Sequence, residues 1–276
     1  MMAERVCMLD IREDLLTQKL HHIADSKVQQ VRYDWLHTQP KDDTDINTLT
    51  QKAGEWFLSS RRNKVDGIDH FKKLDIIYGC TDYINSFLMK EKTYQILEKD
   101  YSYYRLFGQQ ESKVGDLQSN VPIIVSLPNW HFGNSRPDWK EFLDECESKN
   151  ISIHLDAAWF TATKDMSLDV GHPNIKTVAF SITKTGFQWN KFGIRFSKQK
   201  TIDSITVRNA NGWINKNTTN CANFILDNIS VDHAWDRHEQ NYNVICDKLA
   251  LEKTNFIHVA KKNGKSVGVA GILNQC

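Results

Sequence analysis

Residues 176–197 read KTVAFSITKTGFQWNKFGIRFS, and the fold is decided there. The stretch holds two apolar runs, KTVAFSI (176–182) and KFGIRFS (191–197). Runs that are apolar on both faces suit strands covered by helices on both sides. Between them lies Ser181-Ile182-Thr183-Lys184-Thr185-Gly186, a lysine set among hydroxyls and a glycine. A lysine becomes a nucleophile when burial or a neighbouring cation lowers its pKa. A solvated loop lysine is the plainer alternative.

Working outward, further strands are expected at LDIIYG (74–79), TYQILE (93–98), VPIIVSL (121–127) and ISIHLD (151–156). A helix is expected over 45–62, where Leu49, Ala53, Trp56 and Phe57 recur at helical spacing. Other helices are expected from near Thr81, Tyr101 and Pro137, and after Thr219 and Val231. Strand–helix alternation predicts an α/β fold, a three-layer domain with a mainly parallel sheet. NFIHVAKKNGKSVGVAGIL, with Asn263-Gly264 as its turn, predicts a hairpin in a small C-terminal subdomain. The expected division is an N-terminal arm at 1–40, polar and irregular, a large domain at 41–250 and a reduced C-terminal subdomain at 251–276.

With 40% hydrophobic residues the chain can bury a substantial core, which argues against a disordered protein. Lys+Arg is 35 and Asp+Glu 34, a formal net charge of +1. That balance gives no reason to expect a nucleic-acid or membrane-surface partner. The six cysteines are scattered without a C-x-x-C pair, so reduced thiols in a cytoplasmic protein are expected, and no metal site. No apolar stretch reaches the length of a signal-peptide core or a membrane span. Two N-x-S/T sequons, at Asn217 and Asn228, therefore carry little weight. Eight tryptophans spread along the chain are better explained by core packing than by a carbohydrate-binding face.

In open α/β sheets ligands gather beyond the carboxyl ends of the strands. Four such ends carry polar or special residues. Gly79-Cys80-Thr81, between a strand and a helix, offers free backbone N–H groups for a phosphate, although the same pattern also serves as an ordinary helix cap. Asp156 ends the run ISIHLD, as a cleft carboxylate or a capping residue. Lys184 follows the third strand. Arg195, in Gly193-Ile194-Arg195, has the planar fork that suits a phosphate or a surface carboxylate.

The order of cradle, acid, hydroxyl-flanked lysine and arginine resembles the fold-type I pyridoxal-phosphate enzymes, the aspartate aminotransferase superfamily. The resemblance covers about residues 40–250, and its firm motifs lie between 121 and 197. In that family an S-x-[ST]-K segment, here Ser181 to Lys184, supplies the lysine that binds pyridoxal 5'-phosphate as a Schiff base. An aspartate ahead of it pairs with the pyridine nitrogen, and Asp156 lies 28 positions before Lys184. The resemblance further implies phosphate contacts from Gly79, Cys80, Thr81, Ser181 and Arg195. It implies an aromatic ring stacked on the pyridine at Tyr101, with Tyr104 as alternative. Asn129, with Asn134 in reserve, would hold the phenolic oxygen.

The chain departs from the family pattern in three places. Trp159 stands where relatives often have a tyrosine, and indole is a donor only. The stretch from Lys184 to Arg195 is longer than usual. Only 81 residues follow Arg195, so the C-terminal domain that supplies a substrate-binding arginine is expected to be reduced. The resemblance implies a homodimeric aminotransferase that takes an amino acid or amine and a 2-oxo acid. A decarboxylase, lyase or aldolase of the same fold, or a scaffold that has lost catalysis, are the alternatives. Trp130, His131, Trp159, Trp189 and Arg105 are candidate lining residues.

Overall fold

The computed structural model describes residues 11–17, 23–40 and 44–275. In chain order the main elements are α1 (Ser26–Thr38), α2 (Ile46–Leu58), β1 (Lys64–Asp66), β2 (Lys73–Ile77), α3 (Gly79–Lys90), β3 (Gln95–Leu97) and β4 (Glu111–Ser112). There follow β5 (Ile123–Ser126), α4 (Trp139–Ser148), β6 (Ile153–Ala157), β7 (Ser167–Asp169), β8 (Ile175–Ser181) and β9 (Gly193–Ser197). The last are α5 (Ser204–Ala210), α6 (Lys216–Asn228), α7 (His233–Lys248), β10 (Glu252–Lys253), β11 (Val259–Lys262), β12 (Lys265–Gly268) and α8 (Ala270–Leu273).

The apolar runs become one seven-stranded sheet in the order β2-β9-β8-β6-β5-β3-β4. Every pairing is parallel except those of β9, which runs against both β2 and β8. The central strands β5 and β8 have almost no exposed surface, as strands sandwiched between helices require. Helices such as α2 and α4 bury Leu49, Ala53, Phe57 and Phe142 against them. On the other face α3 buries Tyr83, Ile84 and Phe87 with Ile124 and Ala179. This is the three-layer α/β architecture expected from the sequence. Gly193 is obligatory in it: a Cβ there would stand 2.2 Å from the carbonyl oxygen of Phe180.

A second, smaller core joins α7, α8 and the antiparallel sheet β10-β11-β12, around Trp235, Tyr242, Ile257 and Leu273. The β11–β12 hairpin turns at Asn263-Gly264, both at positive φ (51° and 72°), as a type I′ turn needs. Trp159 packs against this core from the large sheet's side.

Two expectations need correction. The N-terminal segment is not irregular throughout. Asp25 caps α1 by accepting from the Val28 N–H, and Val28 and Val31 are buried in the main core. Residues 1–10 and 18–22 of the expected arm lie outside the described residues. The helix expected from Tyr101 is only a short 3₁₀ turn, Ser102–Arg105. Three tyrosines in four residues, and Gly108 soon after, give it little helix propensity.

Candidate active site

The register of the large sheet lines up Ser126, Asp156 and Ala179 across β5, β6 and β8. Two residues further along β8, Ser181 lies opposite Gly193 of β9. The carboxyl ends of β2, β5, β6 and β8 therefore open on the same side, and the residues that follow them converge.

Asp156 is buried, and each carboxylate oxygen has its own donor. The Ala158 N–H donates to Oδ1 at 3.0 Å, and the Tyr104 hydroxyl donates to Oδ2 at 2.9 Å. Burial still raises its pKa above the ordinary carboxylate value, against the pull of these donors and of the nearby Lys184 charge. Lys184 sits in the turn after β8. Its ammonium lies 4.5 Å from the centre of the Trp159 ring. Among the described residues it makes no hydrogen bond and no salt bridge. Burial lowers its pKa, Asp156 counteracts, and Lys191 adds to the lowering. The two groups thus sit in a dry site that pushes each toward its neutral form.

The start of α3 closes one side. Gly79 adopts φ +72, and a Cβ there would come within 3.5 Å of both Ser181 Oγ and Thr183 Cγ2. The start of α3 therefore lies against the β8 turn, and the first-turn N–H groups of a helix have no partner within the helix itself. Thr81 is exposed beside them. Ser181 Oγ accepts from the Thr183 N–H at 3.2 Å and donates to Thr183 Oγ1 at 3.0 Å. The Cys80 side chain turns inward instead. Its thiol donates to the Ala179 carbonyl at 3.5 Å and lies beside Asp156, where burial and that carboxylate raise its pKa.

Lys184, Asp156, Cys80, Trp159, Gly79, Ser181 and Thr81 are thus brought together. Tyr101 borders the group with its ring half-exposed, 5.6 Å from and perpendicular to Tyr104. Tyr104 does not present a face to the site. It is fully buried, and its hydroxyl reaches Asp156. Trp159 lies between Lys184 and the C-terminal unit, edge-on to Phe256 and to His258 (ring centroids 5.9 and 5.3 Å).

Arg195 is the clearest departure from the expected site. It lies two residues inside β9, paired with Asp75 of β2. Its guanidinium donates to Asp75 (2.6 and 3.2 Å), to Asp203 (2.5 and 3.3 Å) and to the Thr206 hydroxyl (2.9 Å). Two carboxylates tie it down, so the expected phosphate contact from Arg195 is withdrawn. Asn129 is also engaged, by its own loop and by the segment after β3. Its amide donates to the Lys99 carbonyl at 3.3 Å and its oxygen accepts from the His131 N–H at 2.9 Å. Asn134 accepts from the Ser135 N–H. Arg105 pairs with Glu111, and Trp189 lies under the Arg32 guanidinium.

Thr183, beside the cradle, was readable in the S-x-T-K motif but had no assigned role. Ser126 and Asp100, the neighbours of Tyr104, carry no local signal at all. Among the described residues no cluster of side chains suits a metal ion, and no helix is long and apolar enough to cross a membrane.

No family model matches this chain, and no curated protein matches it in sequence. Solved structures do match in shape. The pyridoxal-phosphate-bound C-S lyase from Staphylococcus hominis superposes with TM-score 0.63 at 10% identity, over 94% of this chain and 80% of that one. Aspartate aminotransferase from Thermotoga maritima gives 0.62 at 11% identity, over 95% and 90%. Alanine aminotransferase from Pyrococcus furiosus gives 0.60 at 12% identity, over 87% and 73%. The chain therefore has the fold of the aspartate aminotransferase-like enzymes.

Proposed function

We propose that the chain is a pyridoxal-phosphate-dependent enzyme of fold type I, with Lys184 as the covalent anchor, and that it works as an aminotransferase on an amino acid or related amine. One observation carries the reading. Asp156, buried near the carboxyl end of β6, and Lys184, half-buried in the turn after the adjacent β8, are each driven toward neutrality, and neither is ion-paired to any other described residue. A ligand with a cationic ring nitrogen for Asp156 and an aldehyde for Lys184 would relieve both penalties at once.

The residues present fit such a group. The α3 N-terminus, the Thr81, Ser181 and Thr183 hydroxyls and the exposed Lys191 would hold the phosphate. Tyr101 would cover one ring face. Asp156 would keep the ring nitrogen protonated. The bound ring would act as an electron sink for the electrons released at the substrate Cα. Lys184 would serve as the base for the substrate Cα, since its lowered pKa keeps it unprotonated nearer neutrality than an ordinary lysine. Trp159 and the C-terminal unit would keep water from the lysine. By analogy with the fold, the protein would act in the cytoplasm as a homodimer, pairing an amino-acid donor with a 2-oxo acid.

A C-S lyase reading has one specific support, the structural likeness to the Staphylococcus hominis enzyme. The first test is the absorbance of purified protein with added pyridoxal phosphate. A visible band that borohydride bleaches in wild type and that Lys184→Ala lacks is the expected result. A mutant that keeps the band would sink the assignment. Incubation with an amino acid and a 2-oxo acid then separates the reactions: amino exchange marks the transaminase, whereas pyruvate and ammonia without an acceptor mark the lyase.

A further inference from the structure

The turn that carries Lys184 is covered by the N-terminal segment. Gly186 ends that turn at φ +95, and a Cβ on it would stand 3.1 Å from the Ile23 carbonyl oxygen and 3.2 Å from Val28 Cγ1. Further along the same loop, the Arg32 guanidinium of α1 lies 5.5 Å from the centre of the Trp189 ring. Ile23 belongs to the smaller core and Val28 to the main one. The chain between them therefore crosses from one core to the other in contact with the lysine's own turn.

Asp25 sits in that crossing and is buried. Its Oδ1 accepts from the Val28 N–H at 2.9 Å and faces His233 Nε2 at 3.1 Å. Its Oδ2 faces His238 Nε2 at 2.8 Å. An ionised carboxylate only accepts, so both imidazoles present Nε2–H to it. His233 opens α7, and His238 is buried within the same helix. The Ala24 N–H adds a second tie, donating at 2.6 Å to Asn274 Oδ1 at the end of α8. Helices α7 and α8 belong to the C-terminal unit whose core Trp159 packs against.

We propose that residues 23–32 form a strap that holds the Lys184 turn in register with Trp159, and that Asp25 is the positioning residue that locks this strap to the C-terminal unit. This rests on the reading of Lys184 given above.

The strap meets the turn at a glycine, so there is no side chain at Gly186 to absorb a displacement by changing rotamer. A shift of Ile23 passes to the turn directly, as it does between closely packed groups. The apolar contacts of Ile23 and Val28 would allow sliding, whereas hydrogen bonds to a carboxylate are directional and about twice as strong as neutral ones. The ammonium itself is held by no hydrogen bond among the described residues, and its place depends on two supports. One is the turn beneath it, and the other is the Trp159 ring at 4.5 Å. The strap bears on the first, the C-terminal unit backs the second, and Asp25 joins them.

The test is the rate of reductive methylation of Lys184 by formaldehyde and cyanoborohydride in cofactor-free protein. It is read by peptide mass spectrometry against Lys140, whose side chain is 83% exposed. Asp25→Ser keeps a cap for α1 but loses both histidine contacts. His233→Ala is the milder second variant. Glu239→Gln is the control, since it loosens α7 from Arg62 and Lys164 and leaves the strap alone. Each is checked for cooperative melting and measured well below its transition. At high pH, where Lys184 is unprotonated throughout, its rate should rise about tenfold in Asp25→Ser, the worth of one hydrogen bond to a charged group. It should rise less in His233→Ala and stay at the wild-type value in Glu239→Gln. The midpoint of the rate against pH should move up toward that of an ordinary lysine in Asp25→Ser, because the released ammonium reaches water. A wild-type rate and midpoint in both strap variants, or an equal rise in Glu239→Gln, would overturn the strap. Absence of a visible band in wild type with added pyridoxal phosphate would strike the cofactor reading instead, and the methylation rates would still decide this one.

Discussion

Two buried clusters in the same sheet contain the same ingredients and are finished differently. Around Arg195, a cation from β9 meets Asp75 and Asp203, and the guanidinium makes five hydrogen bonds. Around Lys184, a cation from the β8 turn faces an aromatic ring and a carboxylate it does not touch. The first gives its cation a full set of hydrogen bonds, as a structural cluster does. The second leaves its ammonium without a hydrogen bond or ion pair among the described residues, the kind of arrangement that marks a binding or catalytic site more than a structural one.

Removing the cation should therefore have opposite consequences in the two places. The largest effect is expected from Arg195→Leu, which strands two buried carboxylates. Urea unfolding should show a loss of about 3–5 kcal/mol, with cofactor binding retained by whatever fraction stays folded. A variant as stable as wild type would erase the distinction between the clusters.

A smaller loss, about 2 kcal/mol, is expected from Asp25→Ala, since Asp25 accepts from the Val28 N–H and from His233 and His238. Its carboxyl is held well below the ordinary range; burial opposes this, and the two histidine hydrogen bonds outweigh it. A depressed folded pKa means that the contribution is present above the unfolded carboxylate pKa and fades as acid is added. The gap between wild type and variant should therefore narrow on acidification below about pH 4.

The smallest effect has the opposite sign. Lys184→Met in the cofactor-free protein should gain about 1 kcal/mol, seen as a melting temperature about 2–4 °C higher. Because burial lowers the folded pKa of Lys184, the unfolded chain binds more protons and wild type grows more stable as the pH rises toward 10. The advantage of Lys184→Met should shrink over the same range. If Lys184→Met instead destabilises at pH 7, the lysine is a structural partner and the contrast fails.

The same contrast explains what the sequence could and could not reveal. The strands were legible because a run such as VAFSI has no polar face to hide, and the Asn263-Gly264 hairpin because its turn needs positive φ. The convergence of Lys184, Asp156 and Gly79 followed from the strand-end rule. Arg195 was misread because its partner Asp75 lies 120 positions away and becomes a neighbour only when β2 pairs with β9. Helix α1 was missed because only Val28 and Val31 of its residues are buried, too few to leave a helical stripe. Tyr104 resembled a stacking ring until its hydroxyl was seen to reach Asp156, a relation across 52 positions that no local pattern encodes.

The edge-on packing of Phe256 and His258 against Trp159 has a consequence for how the protein is made. The seven strands of the large sheet are complete once Ser197 has been synthesised, with Lys184 and Asp156 already at its rim. The wall behind Trp159 arrives only with residues 256–258, some sixty positions later. A chain emerging from the ribosome amino end first can therefore assemble its sheet while Lys184 still lacks its shelter. Trp159 thus gains its cover only after the sheet beneath it is complete.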